Sequence, residues 1–190
     1  MELVIASNNK HKVLEIATIL SGKFDRIYSL ADLGIEADPE ESAPDFLGNA
    51  MIKARAVAAY TDKAVIADDS GLEVKVLGGD PGVHSARYAG EPCSDERNNR
   101  KLLKEMTGVA DRAARFVTTI VLLFPDGNRL IGEGEVRGEI LTKERGENGF
   151  GYDPLFYSYE LGKTFGEATE QEKNSVSHRA RALEDLLKKL

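Results

Sequence analysis

Cysteine and proline are scarce in this chain of 190 residues, which has a single Cys and 6 Pro. With Cys93 alone no internal disulfide can form, so a reducing, cytoplasmic setting is the default expectation. Few prolines beside 18 glycines, with 42% hydrophobic and 30% charged residues, exclude collagen-like and disordered classes and match globular usage. Long apolar runs are missing as well. Ile120 to Phe124 is typical of the longest, far below the roughly 18 to 20 residues that cross a bilayer, so no membrane partner is expected. The opening residues, Met1-Glu2-Leu3-Val4-Ile5-Ala6, have neither the basic nor the long apolar stretch of a secretory signal. Positive charge is not in excess. A net charge of −7 argues against a nucleic-acid partner, because phosphate backbones call for a broad basic face. Small anionic substrates stay open, since local lysines and arginines can serve them.

What is present alternates. Leu3 to Ala6 reads as a buried strand ending in Ser7-Asn8-Asn9, residues favoured at helix N-caps, and Val13, Ile16, Ala17 and Leu20 then recur at helical spacing up to Gly22. Phe46, Ala50, Ala54 and Val57 mark a second helix across Asp45 to Tyr60, followed by a short strand at Ala64 to Ala67. Ser94 to Met106 reads as a third helix. Phe116 to Phe124, the turn Pro125-Asp126-Gly127-Asn128 and a second extended run predict a long hairpin. In that run Gly132, Gly134, Val136, Gly138 and Ile140 share one face, and the glycines there let another backbone or a ligand come close. Val176, Ala180, Leu183, Leu187 and Leu190 predict one C-terminal helix. Strand and helix in alternation indicate an α/β core. One domain, residues 1–190, with two lobes is expected.

Five groups of residues carry chemistry. Ser7-Asn8-Asn9-Lys10-His11-Lys12 joins a strand end to a helix start, where free N–H groups and positive partial charge suit a phosphate. It is not a P-loop, and a capped helix with solvated lysines accounts for the same residues. Glu40 and Glu41 precede a helix bearing Asn49 and Lys53; Lys53 lies on the inward stripe, so it either snorkels to the rim of the core or faces an anion. Asp68-Asp69-Ser70-Gly71 is expected just past a strand end, where open α/β sheets gather ligands, and paired carboxylates there suit magnesium. A plain turn is the alternative. In Gly149-Phe150-Gly151-Tyr152-Asp153-Pro154, Phe150 can stack on a base and Asp153 can accept from ring N–H groups, or the loop is plugged by its own aromatics. Lys173-Asn174-Ser175-Val176-Ser177-His178-Arg179 places His178 and Arg179 in the first turn of a helix, where the dipole disfavours cations and an acceptor-rich partner is invited. No Ser-His-Asp order, reactive cysteine motif or zinc cluster is present, which leaves phosphate chemistry.

Ser-Asn-Asn-Lys-His-Lys, Ala-Asp-Asp-Ser-Gly-Leu, Pro-Gly-Val-His-Ser-Ala-Arg-Tyr, Gly-Phe-Gly-Tyr-Asp-Pro and Lys-Asn-Ser-Val-Ser-His-Arg, in this order along nearly the whole chain, resemble the inosine triphosphate pyrophosphatase family. The resemblance implies hydrolysis of ITP, dITP and XTP to the monophosphate and pyrophosphate, with magnesium and as a homodimer. It implies a mixed α/β fold: a long bent sheet flanked by helices, with two lobes around a central nucleotide-binding cleft. Carried over by position, it implies a phosphate loop at Ser7, Asn8, Asn9, Lys10, His11 and Lys12, helped by Lys53. Glu41 resembles the metal-binding acid, with Glu40 as the other choice. Asp69 resembles the metal-linked base that prepares the attacking water, supported by Asp68, and Ser70 resembles a substrate contact. The base pocket resembles Phe150, Gly151, Tyr152 and Asp153, closed by Lys173, His178 and Arg179. The physics agrees, since His178 and Arg179 as donors to O6 would reject adenine by leaving buried groups unpaired. A nucleotide pyrophosphatase for dTTP or UTP, and a non-catalytic purine nucleotide sensor, are the alternatives.

Overall fold

The computed structural model describes residues 1–190. Its strands form one seven-stranded mixed sheet, in the order β2-β1-β3-β4-β5-β6-β7. These are β1 (Glu2–Ile5), β2 (Arg26–Ser29), β3 (Ala64–Val74), β4 (Ala113–Leu123), β5 (Arg129–Ile140), β6 (Phe156–Ser158) and β7 (Lys163–Thr164). The helices are α1 (Lys10–Ile19), α2 (Phe46–Ala58), α3 (Asp95–Glu105), α4 (Glu170–Val176) and α5 (His178–Leu187). β1 runs parallel to both β2 and β3, whereas β6 is antiparallel to β5 and β7. No helix is long and apolar enough to cross a membrane.

The chain divides into two compact units. The first comprises Met1–Asp69, Thr118–Gly134 and Arg179–Leu190. Strand alternation decides what each of its sheet faces meets. Leu3, Ile5, Ala64 and Ile66 pack with Ile16 and Leu20 beside α1 and with Ala182, Leu183 and Leu186 of α5. Val4, Ala6, Val65 and Ala67 turn the other way, onto Ala50, Met51, Ala54 and Val57 of α2. Each fully buried Leu, Ile or Val contributes about 1.5 to 3 kcal/mol of transfer free energy, so these two layers fix the unit. The inner-face glycine of β5 admits a backbone: a Cβ at Gly132 would land on the carbonyl oxygen of Ala182.

The second unit comprises Ser70–Val117 and Glu135–His178. Its core joins Leu72 and Val74 of β3, Phe116 of β4, and Val136 and Ile140 of β5 to Leu102 and Met106, with Tyr152, Phe156 and Phe165 from the segments beyond. Phe116 and Phe156 lie with ring centroids 4.6 Å apart.

The expected caps hold at Asn9 and Ser94, whose side chains cap α1 and α3, and Asp45, where the second helix is expected to begin, caps α2. Other expectations change. The strand expected to stop at Ala67 runs eleven residues, to Val74, so Asp68 and Asp69 lie within a strand and not in a turn after one. The continuation is apolar again at Leu72 and Val74, and Gly71 is tolerated because a side chain there would collide with the Gly82 carbonyl. Pairing with β1 nonetheless ends at Ile5 opposite Ile66, with one further bond from Ala6 N–H to the Ile66 carbonyl. Asp68 and Asp69 therefore sit just past the carboxyl end of β1. The single C-terminal helix is instead two. Ser177 is extended, at ψ 154°, and separates α5 from α4, whose start is a capping box between Thr169 and Glu172. Val176 belongs to α4, and Leu190 is exposed.

Candidate active site

In the first unit the alternation that builds the two apolar layers also separates the two aspartates. Asp68 continues the face of Ala64 and Ile66, toward α1 and α5; Asp69 continues the face of Val65 and Ala67, toward α2. Each meets its own cations. Lys12 of α1 places Nζ 3.1 Å from Asp68 Oδ2, and Arg179 of α5 donates to the same oxygen from Nε at 3.2 Å and Nη2 at 3.1 Å. Arg179 Nη1 donates to Glu15, a buried acid of α1. Burial opposes charge on Asp68, but Lys12, Arg179 and Lys53 overcome it and hold its carboxyl well below the usual range.

Asp69 sits differently. Asn49 Nδ2 donates to its Oδ2 at 3.1 Å, Lys53 Nζ lies 3.4 Å from its Oδ1, and the Thr118 hydroxyl donates to its backbone carbonyl at 3.0 Å. Burial pushes this carboxyl up to about 6, Lys53 and Lys12 pull against that, and Glu41 adds to it. Lys53 Nζ also reaches Glu41 Oε2, at 3.0 Å, while Glu40 is exposed; Glu41 is thus the glutamate beside this lysine. Burial works against the Lys53 ammonium, but Asp68, Asp69 and Glu41 raise its pKa nonetheless. No group of three metal-capable side chains converges in the structure. Glu41 and Asp69 bracket one ammonium with hard oxygen donors, the donor type that could hold magnesium.

The loop before α1 shapes itself with its own side chains. Asn9 Oδ1 accepts from the N–H groups of His11 and Lys12, Ser7 Oγ accepts from Asn9 N–H, and Asn8 Nδ2 donates to the Ala37 carbonyl at 2.9 Å. Lys10 and His11 are exposed; Lys12 is turned inward.

In the second unit the Gly-Phe-Gly-Tyr-Asp loop is held on all sides. Asp153 Oδ2 accepts from Phe150 N–H at 3.1 Å and from Lys173 Nζ at 2.7 Å. That buried ammonium lies 4.6 Å from the centre of the Phe150 ring and 5.7 Å from that of Phe165, within cation–π range. Gly151, at φ 61°, donates its N–H to Asp95 and accepts at its carbonyl from Asn99. Tyr152 is buried, and its hydroxyl donates to the Ser85 carbonyl at 2.6 Å, which makes it a wall of the core. His178 stacks on Phe116 with centroids 4.9 Å apart, and Ser70 is half-buried on β3.

The His178-Arg179 pair expected to act together is thereby divided between the units. His178 joins the aromatic core of the second; Arg179 is spent on the acids of the first, all three of its guanidinium nitrogens facing carboxylates. Sequence reasoning passes over Glu15, Asp95 and Asn99. Glu15 follows Lys12 by three residues and Asp95 precedes Asn99 by four, the spacings that bring side chains to one helix face.

Fold and site together define a mixed α/β protein with a buried lysine-carboxylate centre on one unit and an aromatic-lysine-carboxylate loop on the other. The Ham1 family model matches residues 3–189, and the chain belongs to the Ham1 family. It is 49% identical to a dITP/XTP pyrophosphatase of Thermoanaerobacter sp. (strain X514), covering 96% of this chain and 93% of the relative. A dITP/XTP pyrophosphatase of Haemophilus influenzae is 48% identical, covering 100% and 98%. Among solved structures, a Ham1 protein from Staphylococcus aureus superposes with a TM-score of 0.85 at 44% identity, covering 97% and 95%. One from Coxiella burnetii gives 0.88 at 38% identity, covering both chains fully at 100%.

Proposed function

We propose that this chain hydrolyses non-standard purine nucleoside triphosphates, ITP, dITP and XTP, to the monophosphate and pyrophosphate. The observation that carries the reading is the Glu41-Lys53-Asp69 centre, an acid pair around a buried ammonium with one carboxyl raised to about 6. Near-full-length identity to named dITP/XTP pyrophosphatases supports the substrate class. Asp69 is the base: its carboxylate takes the proton of a water attacking the α-phosphorus, a role that suits a carboxyl raised toward neutrality. Pyrophosphate leaves as the bond to the α-phosphorus breaks, its charge offset by Lys12 and Lys53. Magnesium would be held by Glu41 and Asp69, where it supplies Lewis-acid polarisation of a phosphoryl oxygen. Asp68 keeps Lys12 in place by their 3.1 Å pair. The loop of Ser7, Asn8, Asn9, Lys10 and His11 presents the start of α1 to the phosphates.

Base reading falls to the second unit. Phe150 supplies the stacking face, Gly151 the close backbone, and Asp153 with Lys173 a paired acceptor and donor for the edge of a 6-oxopurine; His178, with Arg179 beside it in the chain, is a donor for O6. Adenine, with a donor where hypoxanthine has an acceptor, would leave these groups unmatched. Ser70 is a further substrate contact. The enzyme is taken to be a homodimer, as the family resemblance implies, and cytoplasmic, as the lone Cys93 implies, with light scattering and cell fractionation as the checks. Hydrolysis of ITP in ¹⁸O-water tests the cleavage site: label in the monophosphate supports attack at the α-phosphorus, whereas label in pyrophosphate, or release of orthophosphate, contradicts it.

A further inference from the structure

Asn49 stands out among the buried polar side chains because it bonds Asp69 directly and the backbone of the loop that carries Glu41. It is 2% exposed, on the face of α2 that carries Lys53 four residues later. Its Nδ2 donates to Asp69 Oδ2 at 3.1 Å, and its Oδ1 accepts from the N–H of Ala43, two residues after Glu41, at 2.9 Å. Lys53 complements it, with its ammonium 3.4 Å from Asp69 Oδ1 and 3.0 Å from Glu41 Oε2. One oxygen of Asp69 is thus committed to an amide and the other faces the Lys53 ammonium. Only a carboxamide of this length fits, since the site demands one donor and one acceptor on the same short side chain. Aspartate would turn an acceptor toward Asp69, and alanine would leave both neighbours unmet.

We propose that Asn49 is the positioning residue of the Asp69 base: it fixes the carboxylate by Oδ2, leaves Oδ1 as the working oxygen, and ties the Glu41 loop to the same helix face. The inference rests on the proposed pyrophosphatase reading and names how that site is held. Groups that orient metal- or water-facing carboxylates typically change affinity or activity by about 10- to 100-fold when removed. The amide acts through Asp69 and the Glu41 loop. Its loss therefore falls on the chemical step and on the magnesium requirement, and leaves nucleotide capture nearly intact.

The test compares wild type, Asn49→Asp and Asn49→Ala. Pyrophosphate release from ITP is measured across ITP and magnesium concentrations, beside thermal melting and the side-chain amide NMR signals of Asn49 in metal-free protein. Expected are folded variants with kcat lowered about 10- to 100-fold, KM for ITP within about threefold of wild type, and a higher magnesium concentration for half-maximal rate. In metal-free wild type one Asn49 amide proton should exchange slowly, and Asp69→Ala should remove that protection. A general loosening of the fold would speed exchange throughout the protein, whereas loss of the Asp69 acceptor should deprotect this one proton selectively. Wild-type kcat in folded Asn49→Asp, a loss confined to KM, or unprotected amide protons would overturn the proposal. Collapse of both variants would overturn it in favour of a purely structural asparagine. If wild type itself releases no pyrophosphate from ITP, the pyrophosphatase reading fails and takes the inference with it, which separates that failure from a silent effect at Asn49 alone.

Discussion

Replacing Arg179 by Met should unfold this protein earlier before it does anything subtler. The guanidinium is 1% exposed and serves two buried carboxylates, Asp68 through Nε and Nη2 and Glu15 through Nη1. Breaking a buried ion pair by removing one partner costs about 3 to 5 kcal/mol, because the remaining charge stays desolvated. Lys12 continues to face Asp68 at 3.1 Å, which places the expected loss at the lower end, about 3 kcal/mol. For a chain of this size each kcal/mol shifts the melting temperature by roughly 2 to 4 °C, so a drop of about 6 to 12 °C is expected. Arg100 is the control. It pairs with Glu96 four residues earlier with side chains 74% and 78% exposed, so Arg100→Ala should change stability by no more than about 0.5 kcal/mol. Circular dichroism melts near pH 7 compare the three proteins. The difference between wild type and Arg179→Met should shrink in acid: the Asp68 carboxyl is depressed in the folded state, so its contribution is present above its unfolded value and begins to be lost as the pH falls below roughly 4. Arg179→Met melting within about 2 °C of wild type would refute the buried-triad reasoning.

Asp69→Asn should cut kcat by about 10²- to 10⁴-fold while ITP still binds, and wild-type turnover would sink its role as base. Since burial raises the Asp69 carboxyl to about 6 and a base must be ionised, kcat/KM at low magnesium should fall as the pH drops through about 6. More magnesium should carry that midpoint lower, because metal and proton compete for the same carboxylate; a midpoint indifferent to magnesium would contradict metal binding at Asp69. Gly132→Ala should destabilise by about 1 to 3 kcal/mol in urea unfolding, because the new methyl meets the Ala182 carbonyl and lies 2.8 Å from Leu186 Cβ; unchanged stability would mean β5 and α5 are looser than described.

Much of the fold is legible in local signals. Caps at Asn9, Asp45 and Ser94 set three helix starts because short polar side chains satisfy N–H groups wherever they fall. The glycine-bearing alternation of β5 is readable because one buried face leaves a period of two. Local signals mislead where burial and chemistry compete. Asp-Asp-Ser-Gly has turn composition, yet β3 carries it through because Lys12, Arg179, Asn49 and Lys53 receive the two carboxylates on opposite faces. Those partners come from residues 12 to 179, and no local window holds them together. β2, β6 and β7 run only four, three and two residues, too short to leave a periodic signal. Ser177 breaks a continuous apolar stripe that periodicity alone would carry through. At the site, Lys53 on the inward stripe of α2 is a legible anomaly. Glu15 is not, since a glutamate in a charged helix reads as solvated until the arginine facing it is known.

Pyrophosphatase action is put to the proof by steady-state hydrolysis of ITP, XTP, GTP and ATP with magnesium, assaying pyrophosphate and orthophosphate separately. Pyrophosphate from ITP and XTP is expected, with GTP and ATP slower by orders of magnitude. Orthophosphate as the product, preference for dTTP or UTP in a wider panel, or tight ITP binding without turnover would contradict it.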